Sequence, residues 1–394
     1  MKLALFLAAV PVLWAQSPEA VLRRALAAKT GSVTLPSGTI EITREILLAP
    51  DAHDLDIKGA NTTIRAAGTF RGRALIALSG GRNIRIHDVV LDGNREAVGR
   101  LSVLPPSGTM LSRFVADNGI VAEGVTGLAI GPLKVSKIAG FAILVNAGHN
   151  VQIDRVDVTE SGGLNPQRKN NGTGGIALEE GTTDFSIRNC LFGTIRGDGV
   201  TIRGSQQGRI SENEFRAMAR DAVHVSRGAG IAIADNHAEQ IGIPVEEVDA
   251  AGALCMRLEQ FQNGEVTGNT CSEALLGAMT ISGLQNRIAN NRFTGLNQAH
   301  RDAAGIFLAS GASQITVEAN EISGSGMSLH CVGAAPDVNK NDFKALRNDC
   351  SDEASVAGLR NYPFATRDTA FTTFRHGIFS QSSTTNISPS RHDE

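Results

Sequence analysis

The chain has 394 residues, 42% of them hydrophobic and 20% charged, with a net charge of −3 and a pI near 6.3. That is enough apolar material for one elongated domain or two small ones. A balance this close to neutral argues against nucleic acid or an anionic membrane as a partner.

Residues 1–16, MKLALFLAAVPVLWAQ, carry one Lys, an apolar run too short to span a bilayer, and small Ala15 near the end. This is the form of a secretory signal peptide cleaved near Ala15. This segment has no twin arginine and no later stretch approaches membrane-spanning length, so the expectation is a secreted or periplasmic protein without membrane insertion. Ser17-Pro18-Glu19 then opens a helix with a cap, a Pro at its first position and an acid in its first turn. Val21, Leu22, Ala25 and Leu26 give it an apolar face, and Gly31 ends it. Such a helix suits the open end of a stack of strands, where core and strand edges need a cover.

The helix is followed by SVTLPSGTIEI (32–42), LDIKGANTTIRA (55–66) and NIRIHDVVLDGN (83–94). This order resembles the first coils of the pectin-lyase-like right-handed parallel β-helix superfamily, and the likeness runs over residues 17–327. The resemblance implies an all-β solenoid with an N-terminal capping helix. It leaves activity open, because the superfamily holds polysaccharide lyases, polygalacturonase-type hydrolases, uronate epimerases, phage tailspikes and non-enzymatic adhesins.

Between Gly197 and Ile322 one pattern repeats about every 23 residues, most clearly as DGVTIRGSQQGRISENEF (198–215). AMTISGLQNRIANNRF (278–293) and GIFLASGASQITVEANEI (305–322) are close copies. Apolar residues alternate in short bursts between polar turns, at a period too short for two helices, so each repeat is a set of short strands. A unit of this length cannot bury its own apolar face and must stack on its neighbours. In every copy an Asn follows an apolar anchor by three: Asn213, Asn236, Asn269, Asn291 and Asn320. Stacked coils lie about 4.8 Å apart, so these amides predict a buried ladder.

The first inward residues of successive coils are read as Ile120, Ile143, Ile176, Val200, Val223, Leu254, Met279 and Ile306. Surplus residues fall at one corner, just before the first strand of a coil: 94–118, 161–171, 241–251 and 297–303. Either these excursions raise a wall beside one face, or that corner simply tolerates insertion. After Met327 the pattern fades. Residues 328–378 read as a cap or strap and 379–394 as a disordered tail. Of five Cys, Cys331 and Cys350 are the expected disulfide; Cys190 and Cys271 read as core filler and Cys255 is ambiguous. No His/Cys cluster has metal spacing, so no metal site is expected, and no cofactor is identified, with calcium left open.

Candidate chemistry falls on the outward face of the first strands. Asp198 and Asp221 stand where two such strands begin, and His224 follows between inward valines. One outward row reads Asn146, Glu179, Arg203, Arg257 and Ser282, with Arg227 nearby; Thr201, His224, Cys255 and Thr280 lie beside it, and Lys169 is on a wall loop. Asp198, Asp221 and His224 are the catalytic candidates; Lys169, Glu179, Arg203, Arg227 and Arg257 are the substrate-binding ones. Two Asp on adjacent coils could splay to the gap an inverting hydrolase needs, while a lyase would use His224 as base with Arg and Lys around the uronate carboxylate. Asp198-Gly199 and Asp221 resemble two acidic positions of polygalacturonases. That family's adjacent paired Asp and its Gly-His-Gly are absent, with Gly252-Ala253 in place of the latter. Each residue also has a duller role: Asp198-Gly199 is a good turn pair, an exposed His is ordinary surface, and Glu179, Arg203 and Arg257 could be an ion-pair ladder of little worth. The one Trp, Trp14, leaves with the signal and Tyr362 is the single Tyr, so aromatic sugar platforms are scarce. An acidic glycan, gripped by Arg and Lys, is the expected partner. A non-catalytic carbohydrate-binding or structural β-helix is the rival reading.

Overall fold

The computed structural model describes residues 17–101, 109–246, 253–296, 304–325, 327–332, 336–339, 341–343 and 347–350. The expected signal peptide, the 297–303 excursion and the tail lie outside the described residues.

Helix α1 (Pro18–Ala25) begins as its sequence directs, with Ser17 Oγ accepting the Ala20 N–H at 3.2 Å. Leu22 and Leu26 enter the main core, but Val21 is exposed. The reason is the tether on the opposite flank: Arg23 donates to the Arg44 and Glu45 carbonyls, and Glu19 accepts the Thr43 N–H. These contacts lay the helix across the Gly38–Leu47 strand.

From there the chain winds as a β-helix whose described strand pairings are all parallel, coil on coil. A representative coil has three strands, Val200–Arg203, Gln206–Ser211 and Glu214–Met218. It pairs with Val223–Ser226, Ala229–Ala234 and His237–Ile241 of the next. Val200 lies against Val223 and Ile202 against Val225, all inside; on the third-strand side Phe192 and Phe215 stack with ring centres 4.8 Å apart.

The Asn column is a hydrogen-bonded ladder. Asn213 donates to Asn236 at 2.9 Å, Asn236 to Asn269 at 2.9 Å, Asn269 to Asn291 at 3.0 Å and Asn291 to Asn320 at 2.9 Å. Each side-chain oxygen also accepts the backbone N–H one coil back, so a buried rung ties two coils through three or more bonds. The ladder has a further rung, Asn341, 2.9 Å from Asn320. Coil stacking therefore does not end at Met327. The Met327–Cys331, Asp337–Asn339 and Asp342–Phe343 strands complete one more coil, and Arg347–Cys350 pairs with it in turn.

The cysteines need correction. Cys255 is bonded to Cys271, joining the start of one coil's first strand to its third strand. Val223 pairs with Met256, not with the expected Leu254, so Cys255 drops one step into the inner corner and meets Cys271 inside. Cys331 is also disulfide-bonded, and its register partner on the neighbouring strand is Cys350. Cys190 is buried and free; burial pushes its thiol up to about 12, which keeps it inert.

Candidate functional site

The outward row of the first-strand face changes character along the helix axis. Ala77, Val121, Leu144 and Ala177 are in register and fully buried. The same row continues as Thr201, His224, Arg257, Thr280, Phe307 and His330, half-buried from His224 onward. Arg257, not Cys255, is thus the direct neighbour of His224, while Arg203 belongs to the next outward row with Ser226 and Glu259.

The two Asp stand at the corner before this face, and a second ladder runs through that corner. Asn118 Oδ1 accepts the Phe141 N–H at 2.7 Å, Asp198 Oδ1 the Asp221 N–H at 3.2 Å, and Asp221 Oδ1 the Leu254 N–H at 2.9 Å. Each Asp gives one oxygen to the stack and turns the other toward the face. Asp198 Oδ2 lies 3.3 Å from His224 Nδ1 and 3.4 Å from Thr201 Oγ1, and Arg220 Nε is 3.3 Å from Oδ1. Asp221 Oδ2 accepts Arg257 Nε at 2.5 Å. Gly199 follows Asp198 because of a close approach, a Cβ there lying 2.6 Å from the Phe215 ring and 2.7 Å from the Ala222 carbonyl oxygen.

Burial alone would raise the Asp198 carboxyl; Arg220 first and His224 next outweigh it and hold the group at about 2. Burial likewise pulls the His224 imidazole down, but its bond to Asp198, ahead of the nearby Glu259 carboxylate, lifts it to about 9. His224 is therefore an imidazolium at neutral pH. Its side chain is 21% exposed. Its Nε2 makes no hydrogen bond, with Glu259 Oε2 3.9 Å away. His224 in turn holds the Glu259 carboxyl below its usual range.

The structure thus brings together Asp198, Asp221, His224 and Arg257 and adds Arg220 and Glu259, which sequence reasoning missed. The signal for both was register: Arg220 precedes Asp221, and Glu259 lies two beyond Arg257 on one strand. The remaining candidates sit apart. Glu179 is buried, accepting the Leu111 N–H at 2.5 Å and the Ser112 N–H at 2.8 Å, with Arg203 3.7 Å away. It anchors the 94–118 excursion. Arg227 is exposed and paired with Glu180, and Lys169 is exposed on its loop. The two Asp do not splay as an inverting pair would. Their nearest oxygens lie within 4.8 Å, because the ladder pins both carboxylates at the coil spacing.

The excursions interlock into a wall at this corner. Arg95, from the first, donates to the Gly162 carbonyl of the second at 3.1 Å and to Glu246 of the third at 2.5 Å. Arg196, two residues before Asp198, reaches the same Glu246 at 2.7 Å. Leu164, Ala219 and Val245 form a small apolar cluster beside it.

For a metal, Asp198, Asp221 and His224 each offer an atom within 4.8 Å of the other two. Arg220 and Arg257 already stand on the carboxylates, whose inner oxygens are also taken by backbone N–H groups. Calcium prefers six to eight oxygens. The donor set does not fit a metal ion.

Comparison with known proteins agrees with this architecture. The family model described as "Right handed beta helix region" matches residues 118–242 and 174–343. No curated protein sequence matches significantly. Among solved structures, an exopolygalacturonase from Thermotoga maritima is similar, with TM-score 0.57, 13% identity, 82% of this chain and 87% of that one covered. A DFA-IIIase from Arthrobacter chlorophenolicus A6 in complex with GF2 gives TM-score 0.56, 14% identity and coverage of 90% and 94%. ORF18 of Geobacillus virus E2 gives TM-score 0.48 and 14% identity; the similarity takes in 80% of this chain and 54% of that one. At such identities the likeness is one of fold. With strand stacking, ladder and family match in agreement, the chain belongs to the right-handed β-helix family.

Proposed function

We propose that the chain is a secreted enzyme that cleaves an acidic, uronate-containing polysaccharide on the outward face of its first strands. The observation that carries this reading is His224, a partly buried imidazolium whose Nε2–H makes no hydrogen bond and lies covered beneath Glu259, backed by an Asp198 carboxylate too weakly basic to take its proton. His224 is the proton donor to the glycosidic oxygen, displacing the half-exposed Glu259 side chain as substrate settles. Arg257 lies beside it, with Arg203 one row out on the preceding coil, and both offer forked bonds to uronate carboxylates. Asp221 fixes Arg257 in place. The similar exopolygalacturonase, an enzyme of polygalacturonate by name, lends the substrate class some support. Export rests on residues 1–16 and on the Cys255–Cys271 disulfide, which suits an oxidising compartment. No described helix is long and apolar enough to cross a membrane.

The test is incubation with polygalacturonate, alginate and glycosaminoglycans beside a His224→Gln variant. New absorbance from an unsaturated uronate means elimination; reducing ends without it mean hydrolysis. Loss of either in the variant, with the β-sheet fold retained by circular dichroism, supports the reading. A second reading, a non-catalytic binding surface, is favoured by the structural duty of both Asp at the corner. Retention of one polymer with no turnover on the whole panel would select it.

A further inference from the structure

We infer that the glycan site is blind on its N-terminal side, so that the substrate enters by a chain end and extends toward Phe307 and His330. The inference rests on the reading of this face as a glycan site.

The row that carries His224 is sealed immediately before it. Helix α2 (Leu111–Phe114), in the 94–118 excursion, lies over the face. Leu111 and the following Val115 pack on Val121, Leu144 and Ala177, one closed apolar cluster. Glu179, buried one coil before Arg203, fastens α2 by accepting two of its backbone N–H groups, and Asn146 donates to Ser112 at 2.9 Å. A cover held by a buried carboxylate and an apolar seam is part of the fold. Thr201 is the first residue of the row beyond the seam and His224 the second. A polymer lying along the row cannot continue past His224 in the N-terminal direction.

In the other direction the row is half-exposed. Phe307 stands three coils beyond His224, roughly 14 Å at the coil spacing. Its ring meets His330 edge-on at 5.0 Å. In a mature chain whose one Trp leaves with the signal, this pair is the aromatic surface in line with the site, placed to support a sugar ring away from the cleavage point. Arg257 and Thr280 lie between and supply polar contacts.

The experiment uses oligogalacturonates and alginate oligomers, dimer through hexamer, bearing a bulky fluorophore at the reducing or the non-reducing end. A blind site rejects the tag at one end, weakening binding by about tenfold or more, and accepts it at the other. Phe307→Ala then weakens the longer oligomers and leaves the dimer unchanged. The products of polymer cleavage are short from the first time point. Equal tolerance of both tags, or an early ladder of intermediate lengths, overturns the blind site while leaving the glycan reading in place. No binding and no turnover with any oligomer would overturn both.

Discussion

Asp198 accepts the backbone N–H of Asp221 through Oδ1 and faces His224 through Oδ2, so one carboxylate joins two coils and also charges the site. An amide can keep the first task and not the second. Asp198→Asn is expected to fold but to melt below the parent near neutral pH, while the His224 titration falls below about 9, since burial pulls the imidazole down. Titration of the imidazole Cε1 proton by NMR reads this directly. An unmoved titration would show that another group holds the proton.

The same pair sets a pH window for stability. His224, lifted from 6.5 to about 9, contributes stability that is full below 6.5 and lost as pH rises through 9. Asp198, lowered from 3.8 to about 2, contributes stability present above 3.8 and lost as pH falls through 2. The two shifts describe one interaction and are not summed. The melting temperature should be highest between about 4 and 6.5 and decline toward pH 9. Asp198→Asn should flatten the alkaline decline; an identical decline in the variant would remove the pair as its cause.

What was legible in the sequence follows from periodicity. The Asn rungs and inward valines recur with the coil, so the solenoid, the ladder and the convergence of Asp198, Asp221 and His224 could be read from spacing. Departures arose where a coil breaks period. The 241–251 excursion hid the register of the following strand, so Leu254 was taken for the inward anchor that Met256 provides, and Arg257 and Cys255 exchanged places. Glu179 sits at an outward position, and only the return of the distant 94–118 excursion buries it. Asn341 follows Val338 by three like every other rung, but the polar residues around it masked the coil. The Arg95–Glu246 contact spans 151 residues, a separation at which local pattern carries no signal.

The ladder should be costly to interrupt. Asn269 accepts from the Asn236 backbone and side chain and donates to Ile233 O, Thr267 O and Asn291. Asn269→Leu leaves these groups unpaired in the interior, at roughly 1–3 kcal/mol for each one not rescued by water. Thermal and urea unfolding should both show the loss. A variant that melts like the parent would mean that the backbone pairing alone holds the coils.

The wall beside the site should open locally without taking the solenoid with it. Glu246 lies between Arg95 and Arg196, whose side chains are only 6% and 10% exposed, and it joins excursions that share no strand. Glu246→Gln takes the shared counter-charge from two nearly buried guanidinium groups, leaving Arg95 with Glu96, 3.1 Å away. Removing one partner of such a pair costs roughly 3 kcal/mol or more. The chain can avoid much of that by releasing the excursions to solvent, because the coils beneath keep their own strand pairing and Asn ladder. The expected result is faster hydrogen exchange and new protease cleavage within 94–118 and 161–174, with the main melting transition shifted little. A large drop in the main transition would mean that the wall is integral to coil stability. Unchanged exchange in both segments would mean that the Leu164–Ala219–Val245 cluster suffices to hold it.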